Sequence, residues 1–138
     1  MRTRFSLALA TLSLLSLMWF GFDRPAHSEQ VIPGSLRYNV TTLTYAASKA
    51  IDFTNTPYQT LAVTGNITFT SANLGAGRGV SVRLVADSSP RTLTFPGGWK
   101  FLGAAAPASL AANKTAVLSL VSFGTADVDV VAAYSVQP

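Results

Sequence analysis

Leu61-Ala62-Val63-Thr64-Gly65-Asn66-Ile67-Thr68-Phe69-Thr70 is the stretch whose reading decides the fold. Its apolar residues Leu61, Val63, Ile67 and Phe69 recur at every second position, with Thr64, Asn66, Thr68 and Thr70 between them. A period of two places one set on each face of a strand, because successive side chains of an extended chain point in opposite directions. The same alternation returns in Val80, Val82 and Leu84 against Ser81 and Arg83, and in Leu93 and Phe95 against Thr92 and Thr94. Leu118 and Leu120 share a side, and Val128, Val130, Ala132, Tyr134 and Val136 predict a long final strand with Asp127 and Asp129 near its start. Weaker strands are expected at about 38–46 and 50–54.

Turn signals separate these runs. Asn55-Thr56-Pro57, Gly75-Ala76-Gly77-Arg78-Gly79, Ser88-Ser89-Pro90, Pro96-Gly97-Gly98 and Gly124-Thr125 all interrupt the alternation. The Ala-rich piece 103–112 contains Pro107 and reads as a loop. The expectation is an all-β domain over residues 31–138, an antiparallel β-sandwich or jelly roll of about 7–8 strands. A domain of about 105 residues is large enough to bury a core.

Residues 1–30 differ in kind. Met1-Arg2-Thr3-Arg4 is basic, Phe5 to Phe22 is uncharged and mostly apolar, and Asp23-Arg24-Pro25 ends the run. Basic start, apolar stretch and polar region make the layout of a secretory signal, with a cut near Ser28. As a helix the apolar run would reach about 27 Å, close to the roughly 30 Å of a hydrocarbon core. It therefore reads equally as a membrane anchor, the one part of the chain suited to membrane contact, or as an apolar arm that packs in an assembly.

Composition narrows the chemistry. Among 138 residues, 49% are hydrophobic and 12% charged, about half the usual charged share of roughly 25%. The absence of cysteine excludes disulfides, thiolate metal sites and cysteine nucleophiles. One histidine, His27, and six acidic residues supply little general acid–base equipment. The net charge is +4, but from Glu29 onward seven basic residues face five acidic ones. Those bases stand singly, without the stripe that neutralises a run of phosphates, so no nucleic-acid partner is expected.

The motifs point the same way. Gly75 to Gly79 resembles a phosphate-cradling loop only in its glycines, because a Val-Ser-Val strand follows where a helix N-terminus would be needed. A hairpin turn is the expectation there. Asp127 and Asp129, two residues apart on one strand face, could share a cation, but two carboxylates fall well short of the six to eight oxygens that calcium takes, and a solvated face is the expectation. Asn39, Asn66 and Asn113 each begin an N-glycosylation triplet of the kind that Thr-rich strands generate by chance. No catalytic residue, metal ligand or cofactor is expected. Trp99, Phe101 and Tyr134 are the candidate interface residues, since Trp and Tyr dominate interface hot spots. Trp99 reads also as a residue closing one end of the core.

The block Val80-Ser81-Val82-Arg83-Leu84, Leu93-Thr94-Phe95-Pro96, Trp99-Lys100-Phe101 and Ala106-Pro107 continues through Leu110-Ala111-Ala112-Asn113-Lys114-Thr115 and Val117-Leu118-Ser119-Leu120 to Tyr134. With Gly65-Asn66-Ile67-Thr68 upstream, it resembles, over residues 58–136, small β-sandwich modules of bacteriophage virion structural proteins of tail-fibre and head-decoration type. That resemblance implies a non-enzymatic structural or assembly protein located on the virion, a homo-oligomer (commonly a homotrimer) in contact with other virion proteins. The signal-like start supports the alternative of an exported cell-surface or filament-forming β protein, adhesin- or pilin-like, secreted after cleavage near Ser28. An uncleaved apolar arm would reconcile the start with the virion.

Overall fold

The computed structural model describes residues 38–138, so the expectations for residues 1–30 lie outside the described residues. The described chain is all β. Its strands are β1 (Val40–Leu43), β2 (Ser48–Asp52), β3 (Tyr58–Val63), β4 (Ile67–Ala72), β5 (Arg78–Ala86), β6 (Arg91–Thr94), β7 (Lys100–Phe101), β8 (Ser109–Leu110), β9 (Thr115–Ser122) and β10 (Val130–Val136). A single 3-10 turn, Asp127–Asp129, precedes β10. The strands form a six-stranded sheet in the order β1-β3-β5-β9-β10-β7 and a four-stranded sheet in the order β2-β4-β6-β8.

The chain alternates between the two sheets from β1 to β8. Consequently β1, β3 and β5 lie parallel in one sheet, and β2, β4 and β6 lie parallel in the other. A parallel pair needs a crossover of a dozen or so residues, and here each crossover is a strand of the opposite sheet. Only β5–β9, β9–β10 and β6–β8 pair antiparallel, while β7 joins β10 in parallel. The expected all-β chain in two sheets is present, but its expected antiparallel pairing and jelly roll are corrected, since a jelly roll is antiparallel throughout. The turns reverse the chain as expected, but most of them carry it across to the other sheet instead of back beside itself.

The stretch 61–70 illustrates the point. Leu61 and Val63 end β3 in one sheet, whereas Ile67 and Phe69 belong to β4 in the other. The corner Thr64–Asn66 keeps the alternation in phase, so all four side chains still point into the core. Tyr45 closes the corner, its hydroxyl donating to the Asn66 carbonyl at 2.8 Å. Gly65 leaves room for this contact, because a Cβ there would displace the hydroxyl end of the Tyr45 ring. This split, and the two-residue strands β7 and β8, raise the count to ten strands among the described residues. β8 lies within the segment expected to be a loop.

Both sheets contribute to one core. Leu61, Val82, Leu84 and Leu118 are fully buried from the six-stranded sheet, facing Ile51, Ile67, Phe69 and Leu110 from the four-stranded one. Each such side chain contributes about 1.5–3 kcal/mol by leaving water. The final strand begins later than expected. Val128 sits in the 3-10 turn and is exposed, because the Asp129 carboxylate accepts from the Ala126 amide at 3.1 Å while the Asp129 amide donates to the Ala126 carbonyl.

Candidate assembly surface

The outer face of the six-stranded sheet is built from the positions that alternate with the core. β3 presents Tyr58, Thr60 and Ala62, β5 presents Gly79, Ser81, Arg83 and Val85, and β9 presents Val117, Ser119 and Val121. Register aligns them into rows. One row runs Val40, Tyr58, Ser81, Ser119 and Ala133 across β1, β3, β5, β9 and β10. Another runs Gly79, Val121, Val131 and Lys100. Arg83 and Lys100 are the only charges in these strands' outward positions.

Small residues dish this face where β3 and β5 begin and β9 ends. A depression of about 220 Å³ opens between Tyr58 and Val121, floored by Gly79, Ser81 and Ser119. The hydroxyls of Ser81 and Ser119 lie 3.4 Å apart across the β5–β9 pair. Exposed large hydrophobic side chains collect around the depression: Tyr58, Val117, Val121 and Val40, with Tyr38 packed on Tyr58 at a ring separation of 5.8 Å. A face turned to water on an antiparallel or mixed sheet ordinarily alternates to polar and charged residues. This one alternates to hydroxyl and apolar groups instead.

The residues singled out from sequence sit elsewhere. Trp99 is 5% exposed and forms part of an aromatic cluster centred on Phe95, which stacks on Phe69 at 5.2 Å and meets Phe101 edge-on at 5.1 Å. The Trp99 indole N–H donates to the Ser71 hydroxyl at 3.0 Å, with a longer contact of 3.4 Å to Asp127 Oδ1. Ser71 in turn donates to Asp127 Oδ1 at 2.5 Å. Trp99 thus spends its surface inside its own chain, as the core-closing reading has it. Phe101 and Tyr134 are partly buried against the core, and burial pushes the Tyr134 hydroxyl pKa up. That hydroxyl has no hydrogen-bond partner among the described residues.

The carboxylate pair is also separated in role. Asp127 and Asp129 lie in the 3-10 turn and not on one strand face, Asp127 serving Ser71 and Trp99 while Asp129 holds the turn. Among the described residues no three His, Cys, Asp or Glu side chains cluster to hold a metal ion, and no helix is long and apolar enough to cross a membrane. The Gly75–Gly79 loop is a crossover from β4 to β5, not a hairpin, pinned by Arg78 Nη1 donating to the Asn73 carbonyl at 2.7 Å.

The outer face lies apart from the aromatic residues Trp99, Phe101 and Tyr134 that the sequence marks as interface candidates. Its signal was the lack of charge at the off-core positions of β9, where Val117, Ser119 and Val121 stand. Comparison of the chain with protein-family models, with curated proteins and with solved structures returned no match.

Proposed function

We propose that this chain is a non-enzymatic structural subunit that assembles with copies of itself on a bacteriophage virion, as a head-decoration or tail-fibre component. The observation that carries the assembly reading is the nearly uncharged, gently dished outer face of the six-stranded sheet, with Tyr58, Val117 and Val121 exposed on it. Six strands at ~4.8 Å and about six residues at ~3.3 Å make a face of roughly 600 Å². Two copies meeting there would cover about 1,200 Å², the lower end of a stable interface. Burying this face costs little, because few charges must leave water. The virion assignment and the preference for a trimer rest on the resemblance over residues 58–136.

Sedimentation velocity at micromolar concentration tests the assembly reading. A homo-oligomer is expected, and Ser119→Arg, which puts a charge on the floor of the depression, should release it to smaller species with the fold intact. A monomeric wild-type chain would overturn the reading. Intact mass of the chain taken from purified particles tests the location. A full-length mass supports the virion. A mass beginning near Glu29 favours the second reading, an exported filament or surface protein, which the basic, apolar and polar order of residues 1–28 motivates.

A further inference from the structure

Among the described residues four strands end the two sheets: β1 and β7 in the six-stranded sheet, β2 and β8 in the four-stranded one. An edge strand displays unpaired N–H and C=O groups, and proteins blunt such edges with charge, brevity, proline or bulges. β7 and β8 are two residues long, β7 also carries Lys100, and β2 carries Lys49 and Asp52. β1 has none of these devices. Val40-Thr41-Thr42-Leu43 is uncharged, lacks proline and runs in unbroken register with β3, and no charged residue occurs between Tyr38 and Ser48.

The side chains beside this edge are apolar and exposed. Tyr38 is 52%, Val40 63% and Tyr58 47% exposed, and all three stand at the β1 border of the outer face. We propose that β1 pairs edge to edge with β1 of a second copy, antiparallel across a two-fold axis normal to the sheet, so that two six-stranded sheets become one of twelve. The inference rests on the assembly reading above and names a second contact for it.

Three features favour a second copy as the occupant. A two-fold contact is self-complementary, and a strand meeting itself across such an axis is necessarily antiparallel. No like charges are brought opposite one another, because β1 holds none. The axis keeps both outer faces on one side, so Tyr38, Val40 and Tyr58 of the two copies would merge into one apolar strip. Edge pairing leaves the dished face around Ser81 and Ser119 free, so the two contacts can be removed separately.

The test uses the full chain, the double variant Val40→Lys/Thr42→Lys, and Thr68→Lys/Thr70→Lys as control. All four positions are exposed, the control pair on the outside of β4. Lysines on β1 would face lysines of the second copy, weakening self-association at least about tenfold. Sedimentation should show a species of half the wild-type mass for the β1 variant and the wild-type mass for the control. Wild-type mass for the β1 variant would overturn the edge pairing while leaving the assembly reading intact, whereas a monomeric wild type would overturn both. Hydrogen exchange of the wild-type chain gives a second readout should the variant fail to fold. Protection of the Val40–Leu43 amides should rise with protein concentration, and protection independent of concentration would refute the pairing.

Discussion

Removing the Ser71 hydroxyl should cost more than its size suggests. Ser71, on β4 of the four-stranded sheet, donates to Asp127 Oδ1 at 2.5 Å and accepts from the Trp99 indole at 3.0 Å. One hydroxyl therefore ties the four-stranded sheet to the Pro96–Trp99 turn and to the 3-10 turn ahead of β10. Ser71→Ala loses one hydrogen bond to a carboxylate, about 1.5–3 kcal/mol, and one neutral bond, about 0.5–1.5 kcal/mol. Asp127 and Ser71 are only half-buried, so water recovers part of this, and Trp99 keeps its longer contact with Asp127. A net loss of about 1.5–2 kcal/mol follows, which for a domain of this size lowers Tm by roughly 6–16 °C. Urea denaturation followed by circular dichroism measures it, together with Asp127→Asn and the double variant. The two sites share a bond, so their effects should fall short of additivity by at least about 0.5 kcal/mol. A Ser71→Ala loss below about 0.5 kcal/mol, or strict additivity, would refute the view that this cluster joins the sheets.

Gly98→Ala should destabilise by about 1–3 kcal/mol, because the new Cβ would lie 2.9 Å from the Asp127 backbone carbon and force two turns apart; chemical denaturation checks it, and an unchanged midpoint would refute the close approach. Tyr134→Phe should be neutral or stabilise by up to about 1 kcal/mol in the isolated chain, since it removes a buried hydroxyl without a partner. A clear loss of Tm would mean that the hydroxyl is satisfied. Acid should weaken the fold in a defined direction. Thr54, and then Asn73, hold the Asp52 carboxyl below its ordinary pKa, and the Arg91 guanidinium does the same for Asp87. Groups with lowered folded pKa values stabilise fully above the ordinary value and lose that contribution as pH falls through the folded one. Tm should hold steady through neutral pH and drop below about pH 4, less steeply in Asp52→Asn and Asp87→Asn.

The strand positions of this chain are legible in its sequence, because inward and outward side chains alternate regardless of which sheet holds the strand. Val80, Val82 and Leu84 are buried as the alternation demands, as are Leu118 and Leu120. The breaks at Asn55–Pro57 and Ser88–Pro90 do separate strands, as does Gly75–Gly77, while Arg78 and Gly79 already belong to β5. The candidate surface was less legible, because aromatic content marks cores as readily as interfaces. Trp99 and Phe101 pack around Phe95, while small residues such as Gly79, Ser81 and Ser119, which carry no signal singly, gather into one depression only when register aligns them.

By itself, then, the order of residues determined an all-β domain that is poor in charge and holds little general acid–base equipment. Which strands neighbour one another was decided only in three dimensions. A turn of a given composition reverses the chain equally well into a hairpin or across a core, and a period of two survives either route. The corner at Thr64–Asn66 shows why, since it passes Leu61 and Val63 to Ile67 and Phe69 without a change of phase. Long-range contact through the shared core, not local propensity, selects the parallel winding and leaves β1 as the one uncharged edge of more than two residues among the described strands.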